Sequence, residues 1–171
     1  MEHSQNAHVL RILSRLPRNM MKMYGDENIS EFVLHELCCK DCFNLSKAAY
    51  FVDNPAFNCL KGVAGFKQEE ACQLQIPIWD EPSQFSAHMQ SAPFNKKVRE
   101  CVQYSCKNCE NPDELIMQGI AKELEMDSFK YCTWDMKHDN HGYFIYQTCD
   151  QEPDLDDLIS GLSLLSFCPI F

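Results

Sequence analysis

The sequence predicts an α+β fold, a single domain over residues 1–171 in which several amphipathic helices pack on an antiparallel sheet. Three observations predict it. Apolar residues recur at helical spacing in some stretches, whereas others are short, β-rich and grouped in pairs at hairpin distance. With 45% hydrophobic and 23% charged residues, the 171-residue chain has the make-up of an average globular protein and can bury a core of its own. Two thiol-rich knots lie far apart in the chain, and a shared metal would tie those segments together.

In chain order, Val9, Ile12, Leu13 and Leu16 share one helical face, with Arg11 and Arg15 opposite, so residues 6–16 form a helix ending near Pro17. Met20, Met21, Met23 and Tyr24 follow as a soft apolar patch suited to core filling. Asn28 and Glu31 offer a capping box for a helix whose buried side is Phe32, Val33, Leu34 and Leu37. Lys47–Val52 reads as a strand, stopped by Asp53-Asn54-Pro55, and Cys59–Phe66 as its hairpin partner. Gly62 and Gly65 within that second strand signal a bulge or another backbone passing close by.

Residues 73–95 carry Pro77, Pro82 and Pro93 and read as a long connection with one short strand at Gln75–Trp79. Val98, Cys101 and Val102 predict a helix over Asn95–Cys106. Asn111-Pro112-Asp113-Glu114 is a strong helix start, with Leu115, Ile116, Ile120 and Leu124 as its stripe. Phe129–Met136 and Gly142–Thr148 form a second hairpin. Residues 150–171 are acidic, then apolar and helical: Leu155, Leu158, Ile159, Leu162 and Leu165 predict an interface, in a homodimer, through this C-terminal tail.

Twenty-five acidic against fifteen basic residues give a formal charge of −10, which opposes binding to nucleic acid. Lys96-Lys97-Val98-Arg99 reads as a solvated helix face. The tail is too short to span a bilayer, so no membrane association is expected. The N-terminus lacks a secretory pattern, which predicts a cytoplasmic protein. In a reducing compartment eleven cysteines point to metal binding, redox chemistry or burial rather than to a disulfide framework.

Zinc is the leading cofactor. Cys-x2-Cys lets two thiolates of one turn reach the same ion, and the unit occurs twice, as Cys39–Cys42 and Cys106–Cys109. These four residues are the expected ligands, with His35, Cys38 and Cys101 as alternates or close neighbours. Cys101, Cys106 and Cys109 also have the spacing of a plant-type iron–sulfur cluster, the competing cofactor, without the small residues such a loop needs. Cys39-x2-Cys42 follows a helix rather than opening one, which disfavours thioredoxin-like chemistry. Cys59, Cys72, Cys132, Cys149 and Cys168 read as small buried hydrophobes.

No phosphate loop, nucleophile elbow or His-Glu-x-x-His motif is present, and the acids of 150–157 lack the glycine and closing glutamate of an EF-hand. The sequence therefore points to a metal-binding module for sensing or protein interaction. Its alternative is a redox or catalytic metalloprotein with an open metal position.

Overall fold

The computed structural model describes residues 2–23, 26, 28–56, 58–104 and 112–169. At its centre is the ten-residue strand β1 (Leu45–Asn54), whose side chains alternate between two cores. Ala48, Tyr50 and Val52 enter the first core, Ala49 and Phe51 the second. Because both faces are covered, β1 is almost continuously apolar through Ala-Ala-Tyr-Phe-Val.

β1 pairs on one side with β2 (Cys59–Lys67) and on the other with β5 (His141–Thr148). β3 (Val102–Tyr104) and β4 (Lys130–Asp135) complete a five-stranded antiparallel sheet in the order β3-β2-β1-β5-β4. Both expected hairpins are present. A register shift beside Tyr50 and Phe51 marks the bulge that the β2 glycines announced.

The first face is covered by α1 (Glu2–Lys22), α2 (Ile29–Cys38), α4 (Pro82–Ser91) and α7 (Leu155–Ser163) through residues such as Leu16, Phe32, Phe85 and Leu158. The second face is covered by α5 (Pro93–Glu100) and α6 (Pro112–Glu123) through Val98, Met117 and Ile120. A single turn, α3 (Gln68–Ala71), follows β2.

Close contact between α5 and β2 explains both β2 glycines. A Cβ on Gly62 would lie 1.8 Å from the Val98 carbonyl oxygen, and one on Gly65 would lie 2.6 Å from Val98 Cγ2. Beyond the short β3, the β2 edge is sealed by side chain and backbone. The buried Asn95 accepts from Gly65 N–H (2.9 Å) and donates to Met89 O (3.0 Å), while Gly62 N–H donates to Cys101 O (3.0 Å).

Several local expectations are corrected. α1 continues through Pro17 to Lys22, since burial of Leu16 and Met23 in the first core offsets the bond that proline removes. The capping box is not made. Asn28 donates instead to Ser86 Oγ (2.8 Å), and Glu31 accepts from Arg99 (2.9 Å). No strand forms at 75–79; Pro82 and Pro93 sit in the first turns of α4 and α5, where a missing N–H costs nothing. The helix expected over 95–106 ends at Glu100, and the chain turns into β3.

The tail forms α7 and a 3-10 turn over Leu164–Phe167, as its spacing predicts. Leu158, Leu162 and Leu165 of its apolar stripe are buried in the first core, whereas Leu155 and Phe167 are exposed. No helix among the described residues is long and apolar enough to cross a membrane.

Candidate functional site

Helix α2 ends where its apolar face runs out, and the chain then folds back on itself over Cys39–Asn44. Cys39 N–H still donates to His35 O (3.0 Å), after which Cys39 becomes extended. Its carbonyl accepts from both Cys42 N–H (3.0 Å) and Asn44 N–H (3.0 Å), and Phe43 N–H reaches back to Leu37 O (3.1 Å). Asn44 closes the turn at φ 50°, a left-handed conformation that asparagine tolerates better than most residues.

This turn brings Cys38, Cys39 and Cys42 together. Cys39 Sγ donates to Glu36 O (3.0 Å). Burial, then the Glu36 carboxylate, pushes the Cys39 thiol up to about 11. Burial raises Cys42 further, with Cys39, Glu36 and Asp157 adding to the effect. Cys38 is fully enclosed and is raised by burial and then by its two thiol neighbours. All three are thiols at neutral pH. Such a group becomes a thiolate only when a positive charge arrives to hold it.

Cys42 lies in the wall of a cleft of about 530 Å³ between the start of α1, the thiol turn and residues 150–157. Asp150, Glu152, Asp154 and Asp157 line the same cleft. In the sequence these acids look like a solvated linker leading to a helix. In the structure Asp154 does cap α7, accepting from Asp157 N–H (3.0 Å), but the segment also faces the thiols. The separation of more than a hundred residues between Cys42 and Asp157 left no sequence signal for this.

The remaining expected site residues lie elsewhere. His35 turns into an aromatic pocket, edge-on to Phe66 (5.5 Å, 78°) and Phe85 (5.1 Å, 81°), away from the thiol turn. Cys101 sits in the second core, on the opposite face of the sheet, where its thiol approaches Glu123 Oε2 (3.5 Å). Burial and then Glu123 push it up to about 11. Cys106 and Cys109 lie outside the described residues.

Among the described residues no three histidine, cysteine, aspartate or glutamate side chains are grouped so that they would hold a metal ion. Comparison of the chain with protein-family models, curated proteins and solved structures finds no match. The reading of function consequently rests on the residues themselves.

Proposed function

We propose that the protein binds one thiophilic cation, zinc by donor type, at the Cys39–Cys42 turn and acts as a metal-responsive module rather than as an enzyme. The observation that carries this reading is the turn itself, in which the Cys42 N–H to Cys39 O bond (3.0 Å) folds the second thiol back beside the first, close enough for each charge to be felt by the other. A turn of this kind places two sulfurs on one ion and stabilises the thiolate formed there. Cys42 opens on the acidic cleft, which concentrates cations.

Two thiolates leave coordination positions open on the cleft side, filled by water or an added ligand. An ion held in this way exchanges with solvent more readily than one in a closed four-thiolate cage. Because α2, the turn and α7 meet here, loading would tighten the contact between both helices. That is the physical basis for a sensing role.

Cobalt(II) or zinc titration of the reduced, folded chain tests the reading. We expect one equivalent to bind with thiolate-to-cobalt absorption, lost in Cys39→Ser and in Cys42→Ser. Cys101→Ser and the double variant Cys106→Ser/Cys109→Ser should retain it. Uptake below about half an equivalent by folded protein, or loss of binding only in the Cys106/Cys109 variant, overturns the assignment.

A further inference from the structure

Of the nine cysteines in the described residues, only Cys72 and Cys149 are exposed. Both read as buried hydrophobes in the sequence, and the chemistry of the Cys39–Cys42 turn uses neither. The fold nevertheless brings these two together. Lys47 of β1 pairs with Lys67 of β2 on one side and with Gln147 of β5 on the other, so both flanking strands leave the sheet at the same level. At that level they are two strand spacings apart, roughly 10 Å. Contact between α3 and Cys149 closes the gap.

Gln68, the first residue of α3, donates through Nε2 to Asn44 Oδ1 (3.3 Å) and accepts at Oε1 from Cys149 Sγ (3.1 Å). Asn44 O accepts in turn from Cys149 N–H (3.2 Å), which fixes the backbone just beyond β5 against the start of β1. Cys72 keeps helical dihedrals (φ −64°, ψ −20°), and its N–H donates to Gln68 O (2.9 Å). Residues four apart on a helix share a face, with Cβ atoms about 5–6 Å apart. Cys72 therefore stands one turn from the side chain that Cys149 touches, and the two thiols are close enough for a charge on one to be felt by the other. A disulfide needs Cα atoms within roughly 7 Å and sulfurs that can turn towards each other. Only the weak thiol bond to Gln68 holds the Cys149 sulfur in its present direction, and α3 is a single turn with no fully buried residue, so a small shift of it costs little.

We propose that Cys72 and Cys149 form a reversible, oxidant-responsive disulfide that ties α3 to the exit of β5 across the start of β1. Hydrogen peroxide is the oxidant. One thiolate attacks a peroxide oxygen, the O–O bond breaks, and the departing hydroxide takes up a proton and leaves as water, with a sulfenic acid on the first sulfur. The second thiol attacks that sulfur, the S–O bond breaks, and the hydroxide leaves as a second water with the proton of the attacking thiol. Two thiols are thus oxidised by two electrons and one peroxide is reduced to two waters. A small dithiol restores both thiols by exchange and is itself oxidised to a disulfide. The other described thiols are buried or half-buried and compete poorly for the oxidant. The pair is separate from Cys39 and Cys42, and its oxidation stands or falls independently of metal binding.

The test treats the reduced, metal-free full chain with hydrogen peroxide, blocks the remaining thiols with a maleimide and maps the digested peptides by mass spectrometry. A Cys72–Cys149 cross-linked peptide should appear, two hydrogens lighter than its parts, and should vanish after dithiothreitol. Because the bond closes a long loop, the oxidised chain should melt about 5 °C or more above the reduced one. Cys72→Ser and Cys149→Ser, both at exposed positions, should melt like the reduced protein and show no such rise with peroxide. In Cys149→Ser the sulfenic acid at Cys72, left without a partner, should be trapped by dimedone. Cys39→Ser/Cys42→Ser and Cys106→Ser/Cys109→Ser should each still form the cross-link. Maleimide on both Cys72 and Cys149 after peroxide, a bond from either to another cysteine or to a second chain, or a cross-linked chain that melts no higher than the reduced one each overturns the proposal.

Discussion

His35→Phe should make the protein markedly more resistant to acid. Both ring nitrogens of His35 are buried without a hydrogen-bond partner, and the ring packs edge-on against Phe66 and Phe85. Burial, then the nearby His88, pushes its pKa down to about 4 from an ordinary 6.5. A lowered value means that the unfolded chain takes up a proton which the folded chain refuses. Stability is therefore lost as pH falls from about 6.5 towards 4. Between pH 7 and pH 5 the loss from this one residue is about 2 kcal/mol, and below pH 4 it approaches about 3.4 kcal/mol. Phenylalanine keeps the ring contacts and removes two unsatisfied nitrogens, so at pH 7 the variant should gain on the order of 1 kcal/mol. Urea unfolding of both proteins at pH 7 and pH 5 measures the effect: the gap between them should widen by about 2 kcal/mol at the lower pH. Parallel pH dependence of the two proteins would show that His35 is hydrated or paired in solution, and would refute the reasoning.

Other perturbations follow from the same geometry. Gly62→Ala drives a methyl into the Val98 carbonyl and should cost about 3 kcal/mol or more, read as a fall in the urea midpoint; a loss under about 1 kcal/mol would mean that α5 is not seated on β2 as described. A chain ending at Glu152 loses Leu158, Leu162 and Leu165 from the first core, each worth about 2–5 kcal/mol, and should fail to unfold cooperatively. If the shortened chain melts like the full one, α7 is a detachable appendage. Metal affinity at the thiol turn should rise with pH, by about a hundredfold per unit when two thiol protons are displaced, in competition titrations between pH 6 and 8. A flat profile would exclude the two raised thiols, Cys39 and Cys42, as ligands.

The helices and strands with a clear period were legible in the sequence: β1, β2, β4, β5, α2, α6 and α7 arise where their apolar spacing places them. Misreadings came from two sources. Proline at positions 17, 82 and 93 looks like a breaker in the sequence, yet two of these open helices and the third is carried by packing on either side. Polar side chains with tertiary partners look, in the sequence, like local devices. Glu31 looks like half of a capping box until Arg99, sixty-eight residues away, is seen to hold it. For the candidate site, the grouping of Cys38, Cys39 and Cys42 is local and was readable. The separation of Cys101 from them depends on which face of the sheet each helix covers, and periodicity carries no such information. His35 shares a helical face with Cys39 in principle, but Phe66 and Phe85 claim its ring.

The position of β5 also has a bearing on how the chain reaches its native state. β1, the middle of the sheet, meets β2 across a short turn, but its other neighbour joins only when Leu45 finds Thr148. Loop-closure entropy makes that second pairing late and slow relative to the first hairpin. Until it forms, one full edge of the most apolar strand in the molecule is open to other chains. Refolding yield should accordingly fall steeply with protein concentration. Pulsed hydrogen exchange should protect amides bonded between β1 and β2 before those bonded between β1 and β5. During synthesis the same edge waits for about a hundred further residues, an interval of roughly 5–20 s at ordinary elongation rates, which makes this strand the natural place for a holding chaperone to act.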